Sequence, residues 1–316
     1  MSPAILKEHR ISVALCLCIL IALVGCYNSK LFMPECSFVS TSVGKPLAAL
    51  DNSYSVAAKE SFGFFTDIPD STWALKKNMS RATNLGLSAA SIKVDETLPE
   101  EDRDKTVRYY TSTWNPDFAC PMDVALGPVG DGHKWVCDAH RLATIKDCLV
   151  YSVGSNGVFG FEKSINDLAP NCEIHIFDPD DYSQKMKAAK IPNSSFHVWG
   201  LKGSNAKINL TGKLKGRALD FKSLEETMKV LGHAGRAIHV FKIDCEGCEW
   251  STYEDWLSQD VRQILVETHG WNSRSRIFFS DIRKAGFVMT HKESNILTKG
   301  NCMEYAFLKL AKTFFN

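Results

Sequence analysis

Short apolar runs alternate with amphipathic segments beyond about residue 110 of the chain. The runs are rich in β-branched and aromatic residues and end at a glycine or a polar residue, which is typical of buried strands. They predict seven strands, at 149–153, 173–178, 196–199, 238–244, 262–267, 287–291 and 303–310. The segments between them predict helices at 157–168, 223–231, 250–257 and 276–285. Strands separated by helices form a parallel sheet with helices on both faces. A polar turn before the last strand predicts a hairpin, so that strand should run antiparallel.

The same pattern divides the chain into three parts. Residues 109–316 carry the strands and helices and predict the folded domain, which begins with a Cys-containing extension. Residues 28–108 are dominated by polar and charged side chains and predict a stem or linker that is largely disordered. Residues 1–27 end in an uncharged apolar run.

The apolar run from 11 to 27 follows basic residues and is close to the shortest length that spans a bilayer. The basic residues predict a signal anchor with a cytosolic N-terminus. We therefore expect a single-pass type II membrane protein of the Golgi or ER lumen, attached to the membrane through this N-terminal helix. A secreted protein is expected if the segment is cleaved, and a lipoprotein processing site at Cys26 is a further alternative.

Composition narrows the class of partner. The chain has 316 residues and a formal net charge of +1, so no basic field is expected to attract nucleic acid. Eleven cysteines indicate an oxidising compartment and disulfide bonds. The pairing does not follow from the sequence, and Cys137 with Cys148 is one candidate. Sequons at Asn78, Asn193 and Asn209 agree with a glycoprotein.

The first predicted strand runs into a turn that contains Gly154, Ser155, Asn156 and Gly157. The two glycines permit backbone angles that other residues avoid. A strand, a glycine turn and a helix present backbone N–H groups to nucleotide-like cofactors, and Asn156 is a candidate N-cap of the helix. The spacing differs from G-x-G-x-x-G, so an ordinary structural turn is the alternative.

Asp178 ends the second strand, 24 residues after Gly154. At about this spacing a carboxylate accepts hydrogen bonds from both hydroxyls of an adenosine ribose. A helix N-cap is the alternative role of Asp178.

A second polar segment follows the fourth strand, where Asp244 should point into the cleft at the strand ends. Cys245 and Cys248 form a C-x-x-C motif between this strand and a helix, as in thioredoxin-like oxidoreductases. The adjacent acidic residues should raise the thiol pKa, which favours a local disulfide.

His269 follows the fifth strand and is a candidate general base, because an imidazole titrates near neutral pH. Asp244, Glu267 and His269 would hold a divalent cation if they converged, and a structural or substrate-contacting histidine is the third interpretation. We predict no metal site.

These motifs together resemble the FkbM-type methyltransferases, in the animal branch that has an N-terminal signal anchor. The similarity covers about residues 110–312, and its most specific part is the run Lys-Ile-Asp-x-Glu-Gly-x-Glu-Trp at 242–250. Further motifs are Val150–Gly154, Ile176–Pro179 and Val266–His269. The resemblance implies a Rossmann-like seven-stranded methyltransferase sheet with S-adenosylmethionine as cofactor.

The resemblance also implies roles for individual residues. Gly154 and its neighbours would face the methionine part of the cofactor, Asp178 the ribose, and Asp244 the transferred methyl group. The cofactor-binding set is then Ser152, Gly154, Ser155, Asn156, Gly157, Asp178 and Asp244. The catalytic set is Asp244, Glu246 and His269. The chain departs from the family pattern in two ways. Many such enzymes have Asp or Glu where this chain has Ser152, and no Asn-Pro-Pro-Tyr-type signature is present.

The predicted function is O-methyl transfer from S-adenosylmethionine to a small-molecule or glycan acceptor of the secretory pathway. Two alternatives belong to other classes. One is a binding protein that keeps the methyltransferase fold without activity, and the other is a C-x-x-C thiol oxidoreductase. An NAD-dependent enzyme is disfavoured because G-x-G-x-x-G is absent.

Overall fold

The computed structural model describes residues 55–89, 103–130, 132–204, 217–270 and 274–316. Its helices are α1 (Ser55–Glu60), α2 (Asp70–Ala89), α3 (Arg103–Ser112), α4 (Gly160–Leu168), α5 (Ser183–Ala189), α6 (Leu224–Val230), α7 (Glu249–Ser258) and α8 (Ser275–Lys284). Its strands are β1 (Asp123–Leu126), β2 (Lys134–Cys137), β3 (Leu149–Val153), β4 (Glu173–Phe177), β5 (Ser194–His197), β6 (Gly200–Leu201), β7 (Phe221–Lys222), β8 (Val240–Ile243), β9 (Gln263–His269), β10 (Phe287–Ser294) and β11 (Cys302–Lys309).

Seven strands form the central sheet, in the order β10-β11-β9-β8-β3-β4-β5. The strands from β9 to β5 in this order are parallel neighbours, whereas β11 is antiparallel to both β9 and β10. The predicted α/β fold, with a Rossmann-like, mostly parallel sheet and an antiparallel last strand, is confirmed. The short pairs β1–β2 and β6–β7 lie outside this sheet and were not predicted.

Both faces of the sheet are buried because the strands alternate apolar side chains between them. Tyr151 and Phe241 are cross-strand neighbours and pack into the core on one face. Val150 and Val240, one position earlier, pack into the core on the other face. The chain leaves β3 toward β4 on one side and returns to β8 on the other, so the strand order reverses at β3. Ligands of such sheets bind beside the carboxyl end of the strand at this reversal.

The prediction of a largely disordered stem at 28–108 is wrong for residues 55–89, which form helices α1 and α2. Ala57, Phe65 and Trp73 are buried in one cluster with Phe314 near the C-terminus. These few apolar side chains are scattered among polar residues, so average composition concealed them. The folded domain therefore includes this segment, which docks through aromatic contacts rather than through a continuous apolar stripe.

The described residues contain three disulfides, Cys120–Cys137, Cys148–Cys172 and Cys245–Cys248. The candidate pair Cys137 with Cys148 is wrong. Cys148 and Cys172 directly precede β3 and β4, and the parallel pairing of these strands brings the two sulfurs together. The predicted local disulfide of the C-x-x-C motif is confirmed.

The prediction of a type II membrane protein must be corrected. Among the helices of the described residues, none has both the length and the apolar composition that a bilayer crossing needs. The predicted anchor at 1–27 lies outside the described residues, as does the sequon at Asn209. We therefore withdraw the membrane location.

Candidate active site

The carboxyl ends of β3, β4, β8 and β9 open on a cleft of about 920 Å³. The predicted site residues that line it are Gly154, Ser155, Asn156, Asp178, Asp244, Glu246 and His269. Two predicted residues are not part of its wall. Ser152 is fully buried within β3, and Gly157 lies behind the turn against Tyr182 and Lys185.

The glycine turn is longer than predicted, and α4 begins at Gly160 with Phe159 as its N-cap. The prediction that Asn156 caps the helix is therefore wrong. Asn156 has a left-handed backbone with φ of 48°, as does Gly154 with φ of 77°. The side-chain oxygen of Asn156 instead accepts a hydrogen bond from the Tyr182 hydroxyl at 3.1 Å.

Asp178 holds this turn in place. Its Oδ2 atom accepts hydrogen bonds from the backbone N–H groups of Ser155 and Asn156, both at 2.9 Å, and from the Ser155 hydroxyl at 3.3 Å. Its Oδ1 atom accepts from the Asp180 N–H at 3.0 Å. Asp178 is not a helix N-cap, because the next helix, α5, has Tyr182 in that position. A carboxylate has about four acceptor sites, so these bonds leave Asp178 only partly free for a ribose. One acceptor site on Oδ1 remains for a ligand hydroxyl.

Ser152 has a carboxylate partner that the sequence did not reveal. The Ser152 hydroxyl donates a hydrogen bond to Oε1 of Glu162 at 2.5 Å. Glu162 lies in the first turn of α4, where carboxylates are favoured by the helix dipole. Its side chain is buried and contributes to the cleft wall. An acidic residue is therefore present at this point of the cleft, supplied by the helix instead of the strand.

Asp244 follows β8 and is surrounded by cations. The ammonium group of Lys134 lies 3.1 Å from its Oδ2 atom. The ammonium group of Lys242 and the Nε2 atom of His269 each lie 3.8 Å from a carboxylate oxygen of Asp244. Burial favours the neutral acid, but these positive charges outweigh it and lower the pKa of Asp244 to about 2. Asp244 is therefore ionised over the physiological range.

Lys134 itself is a buried ammonium that joins three carboxylates. It lies 2.7 Å from Glu304 and 3.6 Å from Glu267, in addition to Asp244. Burial and the neighbouring carboxylates raise the pKa of Glu304 to about 8 and also raise the pKa of Glu267. The position between Asp244 and Glu267, considered above for a divalent cation, is thus occupied by an ammonium group.

His269 is held by Glu249, a fully buried carboxylate at the start of α7. Oε1 of Glu249 accepts from the His269 backbone N–H at 2.7 Å and lies 3.2 Å from its Nδ1 atom. Nε2 of His269 faces the cleft, 3.8 Å from Asp244 and from Glu246. Burial opposes the charge, but Glu249 and the nearby carboxylates raise the pKa of His269 to about 9. At neutral pH the ring is a cation, which disfavours the general-base interpretation and favours a role as hydrogen-bond donor.

Three further residues, all in the C-x-x-C segment, line the cleft. Glu246 is fully exposed at the turn of the C-x-x-C motif, with φ of 56°. Cys245 and Cys248 are joined as a disulfide, and the Cys245 sulfur lies 3.6 Å from the Glu249 carboxylate. A carboxylate at this distance opposes thiolate formation, which disfavours the thiol oxidoreductase alternative.

Comparison with solved structures finds chains of low sequence identity. One is the fibrillarin pre-rRNA processing protein of Methanococcus jannaschii, at 8% identity and a TM-score of 0.36, with 60% of this chain and 90% of that chain covered. Another is the precorrin-6Y C5,15-methyltransferase of Geobacter metallireducens, at 9% identity and a TM-score of 0.35, with 55% and 86% covered. No curated protein sequence matches the chain.

A protein-family comparison is more informative, because it covers most of the chain. The family described as a methyltransferase domain matches residues 55–309. The match includes helices α1 and α2 as well as the sheet and the cleft. The chain therefore belongs to the methyltransferase domain family.

Proposed function

We propose that the protein transfers a methyl group from S-adenosylmethionine to a hydroxyl of a small-molecule or glycan acceptor. The observation that carries this proposal is the meeting of Gly154, Asp178 and Asp244 at the carboxyl ends of three adjacent strands in one cleft. The family implies a domain that binds S-adenosylmethionine. The finer assignment to the FkbM-type branch rests on the run at 242–250 and belongs to the same proposal.

The residues of the cleft fit this cofactor. Its volume of about 920 Å³ lies within the usual range of ligand sites, roughly 300–1,000 Å³, which leaves room for an acceptor. Because Gly154 has no side chain, a ligand in the cleft can approach its backbone directly. Oδ1 of Asp178 retains one acceptor site for a ribose hydroxyl. Asp244 would lie beside the reacting groups.

The bound cofactor would supply a methyl group that is already activated on a sulfonium, so the protein contributes mainly position. The ionised carboxylate of Asp244 accepts a hydrogen bond from the acceptor hydroxyl and orients its oxygen. With a pKa near 2 it is too weak a base to deprotonate the free hydroxyl, so its first role is orientation. Once the oxygen gains the methyl group its proton becomes strongly acidic, and the proton passes along the same hydrogen bond to Asp244 and then to solvent past the exposed Glu246. His269 donates its Nε2–H to another oxygen of the acceptor.

One observation favours a binding protein without activity. Two N–H groups of the glycine turn, those of Ser155 and Asn156, are already bonded to Asp178. Such a protein would bind S-adenosylmethionine or a related nucleoside without transferring the methyl group.

Two measurements separate these functions. Isothermal titration with S-adenosylmethionine tests binding, and we expect saturable binding; none at millimolar cofactor would refute both. Transfer is tested with a methyl-labelled cofactor and a panel of hydroxylated small molecules and glycans, followed by mass spectrometry of the products. Asp244→Asn is the matched variant, since it should keep the shape of the cleft and lose transfer. Binding without any labelled product would support the inactive protein.

A further inference from the structure

Glu162 is a buried carboxylate in which only one of the two oxygens has a hydrogen-bond partner among the residues that the structure describes. Its side chain is 1% exposed and lies in the wall of the cleft. The Ser152 hydroxyl occupies Oε1, as described above. Oε2 is buried and has no hydrogen-bond partner within the described residues. Buried polar atoms are nearly always paired, so an orphaned carboxylate oxygen calls for a missing partner.

The protein supplies no cation for this oxygen in the part of the chain that the structure describes. Lys242 is the cross-strand neighbour of Ser152. Its ammonium group donates to the Gly154 carbonyl at 2.6 Å and lies 3.8 Å from Asp244, so its contacts are with these groups and not with Glu162. A ligand that satisfies Oε2 must therefore bring its own hydrogen-bond donor, and a positively charged N–H donor suits a carboxylate best.

We propose that Glu162 binds the ammonium group of the methionine part of the cofactor. This inference rests on the proposed function, in which the methionine part lies against Gly154. Ser152 stands where many related enzymes have a carboxylate on the strand. Here the strand supplies only a hydroxyl, and α4 supplies the carboxylate, which the hydroxyl fixes in position. Glu162 is thus a binding residue and Ser152 its positioning residue.

The test compares two ligands by isothermal titration, without any measurement of activity. S-adenosylhomocysteine carries the ammonium group, and 5′-methylthioadenosine has the same nucleoside but lacks the amino acid part. In Glu162→Gln, we expect S-adenosylhomocysteine to bind about 10- to 100-fold more weakly than to the wild type. Binding of 5′-methylthioadenosine should change less than about twofold, because that ligand has no partner for Oε2.

Asp167→Asn is the matched control on the same helix, since Asp167 is exposed and, among the described residues, pairs only with the exposed Lys163. It should bind both ligands like the wild type. A second variant, Ser152→Asp combined with Glu162→Gln, returns a carboxylate to the strand and should recover part of the lost affinity for S-adenosylhomocysteine. If Glu162 had only a structural role, Glu162→Gln would weaken the binding of both ligands equally, and the double variant would recover no affinity.

The outcomes also separate this inference from the proposed function. If the wild type binds neither ligand, the proposed function fails, and the role of Glu162 fails with it. If the wild type binds S-adenosylhomocysteine and Glu162→Gln binds it equally well, only the role of Glu162 is overturned. Should Glu162→Gln not fold, wild-type binding of S-adenosylhomocysteine is compared with binding of its deaminated analogue. Equal affinity for these two ligands would also overturn the inference.

Discussion

The α-carbon of Gly154 lies directly against the carbonyl group of Asp244. A Cβ atom at position 154 would stand 1.6 Å from that carbonyl oxygen. The contact joins the glycine turn after β3 to the acidic segment after β8, so the two halves of the proposed site have a fixed relative position. No side chain other than hydrogen fits between them.

Gly154→Ala should therefore damage both stability and binding. The new methyl group must push the two strand ends apart, and φ of 77° is unfavourable for alanine. We expect the free energy of unfolding to fall by about 2–4 kcal/mol from overpacking and backbone strain together. Urea denaturation measures the loss, and titration with S-adenosylhomocysteine should show affinity reduced at least about tenfold.

Gly235→Ala is the control for this experiment. Gly235 also has a positive φ, of 79°, but its Cβ position is open. This variant should lose only about 1 kcal/mol, the cost of backbone strain, and bind the ligand normally. Equal losses of stability in Gly154→Ala and Gly235→Ala would show that the close approach of position 154 to Asp244 adds nothing to the cost of the substitution.

Asp178→Ala should loosen the glycine turn as well as remove a ligand contact. The N–H groups of Ser155 and Asn156 would lose their common acceptor, and such bonds to a charged group contribute about 1.5–3 kcal/mol. Asp178→Asn keeps an oxygen acceptor and should lose less. Hydrogen exchange of these two amides reports the loosening directly. The exposed Asp181, which accepts from the Ser183 N–H, provides the control Asp181→Asn. Unchanged exchange of the Ser155 and Asn156 amides in Asp178→Ala would show that Asp178 does not hold the turn in place.

Lys134→Met should destabilise the protein strongly, because three carboxyl groups, of which Asp244 is ionised, would then meet at the strand ends without their shared ammonium. Breaking a buried ion pair by removing one partner costs about 3–5 kcal/mol. Thermal and urea unfolding measure this, and Lys163→Met, at an exposed lysine, is the control. A loss below about 1 kcal/mol would mean that the carboxylates take up protons in its place.

The sequence predicted the parts of the fold that local patterns determine. All seven strands of the sheet were located, and α6 lies within the helix predicted at 223–231, where Ser223 and Glu226 form a capping box at its start. These features depend on residues within a few positions of one another. The glycine turn and Asp244 were likewise found because they follow apolar runs.

The remaining site residues were missed because their partners are distant in the chain. Lys134 lies 110 residues before Asp244 and 170 before Glu304. One local signal did exist, since Lys134 and Val136 alternate along β2 and both are buried. Glu162 had no such signal, because an acidic residue in the first turn of a helix is ordinarily explained by the helix dipole. Only the tertiary structure shows that its carboxylate turns inward to Ser152.

The raised pKa of His269 predicts a specific dependence of stability on pH. Its folded value of about 9 exceeds the unfolded value of about 6.5. The folded state therefore holds the proton more tightly, and the contribution to stability is fully present below pH 6.5. It is lost as the pH rises through about 9, when the ion pairs with Glu249 and Asp244 lose their cation. Urea unfolding from pH 6 to 10 should show a decline of about 1–3 kcal/mol from this group.

His269→Gln isolates this contribution, because its neighbours remain while the titrating ring is gone. The decline between pH 6.5 and 9 should be smaller in the variant than in the wild type, whereas His140→Asn, at an exposed histidine, should keep the wild-type slope. Binding gives a second readout. If the imidazolium holds acceptor oxygens, wild-type affinity for the acceptor should fall across the same interval, and His269→Gln should bind weakly at every pH. Identical pH profiles for His269→Gln and the wild type would show that folding does not raise the pKa of the ring, and the role of His269 as a cationic donor above neutral pH would then be excluded.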